Sequence, residues 1–205
     1  MSKLVFVLGA GCSAAAGAPT MPKFIDAAEA IGRSGDLFED DKSKFDLVFK
    51  AYDCLQSIYS KSSEIDLLNV ESLFAAFEMA ETIGSLRGLI EPHSVSELIP
   101  AITRMIVRTI EQSVRFPSNG RAAPVPYAPF CDWVRARIKD VSIVTFNYDL
   151  CIDWTFHLTG TKADYWLSDN PEGRGSVDVL KLHGSLNWSW CEQCALFRVV
   201  SRTLP

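Results

Sequence analysis

Hydrophobic and polar positions fall into two kinds of run along the chain. Three short runs are rich in β-branched and large apolar residues: 3–8 (KLVFVL), 141–147 (VSIVTFN) and 177–185 (VDVLKLHGS). Their length and their glycine or polar ends predict strands, the first two buried. Longer stretches repeat apolar residues every three or four positions and predict helices. These cover 21–32, 44–59 with Phe45, Val48, Tyr52, Leu55 and Tyr59 on one side, 69–82 with Asn69 as N-cap, 130–139 and 149–158. A capping box at 94–97 (SVSE) precedes a further helix carrying Ile99, Ile102, Ile106 and Ile110, with Pro100 near its start. Residues 116–129 hold four prolines and an Asn-Gly pair and predict a loop; 170–176 predicts a turn. The order is strand, helices, strand, helix, strand. It predicts an α/β layered fold with a helical module, approximately 36–129, inserted between the first two strands.

The first strand runs into VLGAGCSAAAGAP at 7–19, small side chains gathered around Cys12 and Ser13. Strand, Gly-x-Gly and helix in succession can cradle a phosphate. Glycine tolerates positive φ and close approach, and the amides at a helix start point at an anion. Gly9, Gly11 and Ala14 fit the dinucleotide fingerprint with alanine in third place. The same residues also suit a tight strand-to-helix turn packed on small side chains. No Gly-Lys-Ser/Thr follows, which excludes a Walker loop. No second strand ending in an acid follows within about 20 residues, which excludes the dehydrogenase arrangement.

Two further motifs close the other strands: TFNYD at 145–149 and LHGS at 182–185. Open α/β sheets bind ligands beyond the carboxyl ends of their strands, where all three motifs are expected to emerge. Asn147, Asp149 and His183 then form a convergent polar group. Asp149 also suits a helix cap, and His183 also suits a structural role. His93 and His157 have no comparable setting.

Together GAGCSAAAGAP, TFNYD and KLHGS, in this order and with a helical block between the first two, resemble the sirtuin-like NAD-binding family over roughly 7–194. The resemblance implies a Rossmann-type parallel sheet with a helical module and NAD as ligand. It puts the glycine-loop positions on Gly9, Ala10, Gly11 and Ser13, the ribose-binding Asn on Asn147, a nearby acid on Asp149 and the catalytic His on His183. The implied binding set also takes in Cys12, Pro19, Phe24, Thr145, Gly184 and Ser185. The chain departs from the protein-deacylating branch, which has Asp-Phe-Arg after the loop where this chain reads GAPTMPKF, and Gln at the position of Phe146. NVESLF at 69–74 and Ser185 look more like the bacterial anti-phage-defence branch. There the implied reaction is hydrolysis of NAD to nicotinamide and ADP-ribose. A lysine deacylase and a non-catalytic nucleotide-binding or assembly module are the alternatives.

Composition narrows the setting. The 205 residues carry 20 Lys and Arg against 25 Asp and Glu, a net charge of −5. This argues against a general nucleic-acid surface. No apolar run reaches the length of a membrane span. Six cysteines are scattered, as in a reduced, cytoplasmic protein. Cys191 and Cys194 form half of a zinc knuckle in a segment at 186–200. A structural zinc site needs four ligands, so two ordinary thiols in a hairpin, without bound zinc, are expected. Relative to the family, the chain is expected to be C-terminally short, with at most one strand in 196–205, and to act as a homo-oligomer or with a longer-chain or defence-system partner.

Overall fold

The computed structural model describes residues 4–58, 66–88, 92–115, 126–167, 175–191, 193–194 and 196–199. In chain order the elements are β1 (Leu4–Leu8), α1 (Ala10–Ser13), α2 (Phe24–Ser34), α3 (Glu39–Ile58), α4 (Val70–Ile83), α5 (Pro92–Ser96), α6 (Leu98–Ser113), α7 (Tyr127–Arg135), β2 (Val141–Thr145), α8 (Cys151–Leu158), β3 (Lys162–Asp164), β4 (Ser176–Lys181), β5 (Trp188–Cys191) and β6 (Leu196–Val199). The chain is α/β and divides into two compact units: Met1–Ala18 with Val114–Pro205, and Pro19–Ser113.

The first unit is built on a four-stranded parallel sheet in the order β1-β2-β4-β3. Leu8 pairs with Thr145, and Thr145 with Lys181, so the three motifs leave neighbouring strands at the same end. Parallel strands need crossovers, and α8 supplies the one that leads from β2 to β3, which lies on the far side of β4. One face of the sheet carries Ile143, Val177 and Val179. Tyr127, Cys131 and Val134 from α7 and Cys151, Ile152 and Phe156 from α8 pack onto it, with Phe6 and Leu8 at the margin.

The strand at 141–147 is buried as expected, but it ends at Thr145. The strand at 177–185 ends at Lys181, and LHGS forms the turn beyond it. The first strand is not buried. It lies at the sheet edge, covered on one face alone, and Leu4, Val5 and Val7 are exposed, Val7 by 67%. An apolar run records β propensity, whereas burial depends on what is packed against each face. β5 and β6 form an antiparallel hairpin apart from the main sheet, and β6 is the one strand expected after 195.

The second unit is helical. It begins at Pro19 and ends at Ser113, not at 36 and 129. The physical reason lies in the packing: α2 sits against α3 and α6, whereas α7 joins the sheet core. Asn69 caps α4 as expected, its side chain accepting the Glu71 N–H at 2.9 Å. The capping box at 94–97 does not form. Ser94 lies inside α5, and Glu97 takes the Lys44 ammonium at 2.9 Å. The buried stripe of α6 is Leu98, Ala101, Ile102, Met105, Thr109 and Ile110, so Ile99 and Ile106 are only half-buried. Pro100 falls in the first turn, where the missing N–H costs nothing. α3 starts at Glu39, five residues ahead of expectation, and buries Asp41 at 1% exposure. That carboxylate is held by Arg104 Nε at 2.5 Å and Arg108 Nε at 2.8 Å. Tyr59 lies outside the described residues. No described helix is long and apolar enough to cross a membrane.

Candidate functional site

The glycine loop leaves β1 at Leu8 and enters α1 at Ala10. Gly9 has φ −117°, and neither Gly9 nor Gly11 has positive φ. A Cβ at either position would meet nothing within 4 Å. Neither backbone conformation nor neighbouring atoms therefore call for glycine there. What remains is open space over bare backbone, beside the first amides of a helical turn, which lack intrahelical acceptors. A phosphate that needs close approach fits that space. Gly17, at φ +94°, is the loop glycine that the backbone does require.

Asn147 ties the second motif to this loop. Its side-chain amide donates to the Gly9 carbonyl at 2.9 Å and to Ser13 Oγ at 2.9 Å. A carbonyl only accepts, so the NH₂ end must face the loop and both of its hydrogens are spent there. Oδ1 is left as the group able to take a ligand hydroxyl or water. The Asn147 N–H donates to Thr145 Oγ1 at 3.0 Å, and the Phe146 N–H to the Leu8 carbonyl at 3.1 Å. Thr145, expected to touch ligand, is buried and holds the backbone of Asn147 instead.

The third motif is fastened to the second. The Leu182 N–H donates to the Thr145 carbonyl at 2.9 Å, and the Leu186 N–H to the Tyr148 carbonyl at 2.9 Å. Gly184 turns the chain at φ +80°, a conformation that favours glycine whatever ligand is bound. His183 is exposed at the tip, its ring edge-on to Phe146 with centroids 5.4 Å apart. Ser185 Oγ accepts from Lys181 and donates to Asn187 Oδ1, each at 2.7 Å.

Asp149 is buried, and its Oδ1 accepts the Cys151 N–H at 2.9 Å in an Asx turn that leads into α8, whose N-cap position is Leu150. Beneath the loop, Tyr127 donates its hydroxyl to the Cys12 carbonyl at 2.5 Å. Burial first, then nearby charge, raises the proton affinity of this floor. Tyr127 and Cys151 are pushed up, Cys131 to about 12, and Cys12 is raised by burial and by the charge of Asp149. The thiols under the loop are therefore poor nucleophiles, including Cys12, which the sequence placed among the ligand contacts.

Pro19 and Phe24 belong to the second unit, and Phe24 is 2% exposed in its core, where packing accounts for it. A cavity of about 330 Å³ in that unit is lined in part by Phe45, Phe49 and Tyr52 and by none of the expected site residues. Cys191 ends β5 and Cys194 lies in the hairpin turn, both as free thiols. The Cys194 thiol and backbone lower the Cys191 pKa by hydrogen bonding. Among the described residues no group of three or more His, Cys, Asp or Glu could hold a metal. Sequence reasoning missed Lys181 and Tyr127, whose roles depend on long-range contacts that no local pattern carries. Compared with known proteins, the chain matches no family model and no curated protein.

Proposed function

We propose that the chain hydrolyses NAD to nicotinamide and ADP-ribose, as a sirtuin-like enzyme of the anti-phage-defence kind. The observation that carries the reading is the bridge from Asn147 to both Gly9 and Ser13, with His183 beside Phe146 on the adjoining turn. It joins a loop open to phosphate, an amide oxygen and an exposed imidazole at one end of a parallel sheet, where such folds bind ligands. NAD supplies a cationic ring already disposed to leave. The loop amides at Ala10 and Gly11 hold its pyrophosphate. Asn147 Oδ1 accepts from a ribose hydroxyl or from the attacking water. The bond from the ribose carbon to the ring nitrogen breaks, and its electron pair stays on nicotinamide. Water oxygen bonds that carbon, and its proton passes to His183 and then to solvent. General-base help of this kind is worth about 10²–10⁴-fold.

A second reading, a non-catalytic nucleotide-binding module, is favoured by one observation: both Asn147 amide hydrogens are spent on the loop itself. Incubation with NAD separates the two. Hydrolysis yields nicotinamide and ADP-ribose in equal amounts, whereas a binding module retains NAD unchanged. Adding an acylated lysine peptide tests deacylation in the same vessel, since that reaction makes nicotinamide production depend on peptide.

A further inference from the structure

Lys181 is a charged residue in the sheet unit to which the proposed chemistry gives no task. It ends β4 with its side chain 2% exposed. Its ammonium has three hydrogens and meets three acceptors: the Asp149 carbonyl at 2.7 Å, Asp153 Oδ2 at 2.8 Å and Ser185 Oγ at 2.7 Å. Asp153 Oδ1 in turn accepts the Tyr165 hydroxyl at 2.5 Å. A buried ammonium is costly, and apolar packing is often as stable as a buried ion pair. Joining β4 to α8 needs only the bond to Asp153, and the bond to the Asp149 carbonyl reaches the segment that bears Asn147. The third reaches into the turn that carries His183, and from Ser185 it continues to Asn187. With the two backbone bonds from Leu182 and Leu186, it clasps 181–187 against 145–149.

We propose that Lys181 is the positioning residue of the site, fixing the turn that bears His183 against the segment that bears Asn147. The proposal rests on the reading in which those two side chains face the substrate, but its geometric half can be measured without turnover. Ser185→Ala removes the arm to the turn and leaves the buried ion pair whole. Lys181→Met with Asp153→Asn removes the clamp and leaves no lone charge. Val179→Ala, in the sheet core, serves as a control matched for lost stability. The readouts are the ring-current shift between the Phe146 and His183 rings by proton NMR, thermal melting, and kcat and KM for nicotinamide release.

Both clamp changes should weaken the ring-current shift and lower kcat, by about 10²-fold for the double change, the scale on which misplacement of a positioned group acts. KM should change little, and Val179→Ala should keep both signals despite a lower melting temperature. A ring-current shift kept in Ser185→Ala and the double variant, or lost equally in Val179→Ala, overturns the proposal. If the double variant does not fold, Ser185→Ala alone decides. If the wild-type chain releases no nicotinamide, the hydrolase reading fails, and the NMR comparison still decides whether Lys181 positions the turn.

Discussion

The loop after β1 and the turn after β4 both carry glycine, but on different grounds. Gly184 sits at φ +80°, where any other residue strains the backbone, so the fold itself demands it. Gly9 and Gly11 lie at no such angle and have no atom within 4 Å of where a Cβ would sit. The fold would accept alanine at both. Under the proposed function, that bareness leaves room for a phosphate to approach the backbone. In the proposed function the first loop takes the ligand and the second turn presents His183.

The comparison breaks most visibly if Gly11→Val leaves binding intact. An isopropyl group in the open space should lower ADP-ribose affinity about a hundredfold, or ~2.8 kcal/mol at ~1.4 per tenfold, while the melting temperature hardly moves. Calorimetry and a thermal melt read the two halves. Unchanged affinity removes the loop from the site.

Asn147→Asp sharpens the link between the two turns. A carboxylate would face the Gly9 carbonyl and lose the donor that now holds it, so the loop should loosen more than in Asn147→Ala. Asp should therefore bind ADP-ribose more weakly than Ala. The reverse order would show that the amide does not hold the loop.

Gly184→Ala should behave oppositely to Gly11→Val. The cost is conformational, about 1 kcal/mol of stability, with ADP-ribose affinity nearly unchanged. An unshifted melting temperature, or a large loss of affinity, would erase the contrast between the two turns.

The smallest effect concerns thiols. Hydrogen bonds from Cys194 lower the Cys191 pKa, so its thiolate fraction at neutral pH exceeds that of an ordinary cysteine. Cys131, pushed up to about 12, and Cys151, also raised by burial, should stay protonated. Alkylation at pH 7 followed by mass spectrometry should mark Cys191 well before either. Equal rates would contradict this ranking.

Much of the sheet unit was legible because strand propensity and turn residues are local. The runs at 141–147 and 177–185 announced β2 and β4, but their polar ends, expected as strand, lie beyond Thr145 and Lys181. The limits were physical. β1 reads as apolar whether it is central or at an edge, and only the pairing order decides which. β3 is three residues long, too short to leave a pattern. The early start of α3 follows from Asp41 meeting Arg104 and Arg108, partners more than sixty positions away. At the site, the residue types of Asn147 and His183 were visible. That Asn147 spends both amide hydrogens on the loop, and that Lys181 ties the turn, depends on contacts across the sheet.

The most direct test of the central claim is nicotinamide release from NAD by the wild-type chain, His183→Ala and Asn147→Ala, each checked for folding. The account predicts release with matching ADP-ribose from wild type, and a loss of about 10²-fold or more in His183→Ala with its fold intact. Asn147→Ala should lose both turnover and affinity. Release from His183→Ala at the wild-type rate would contradict the account.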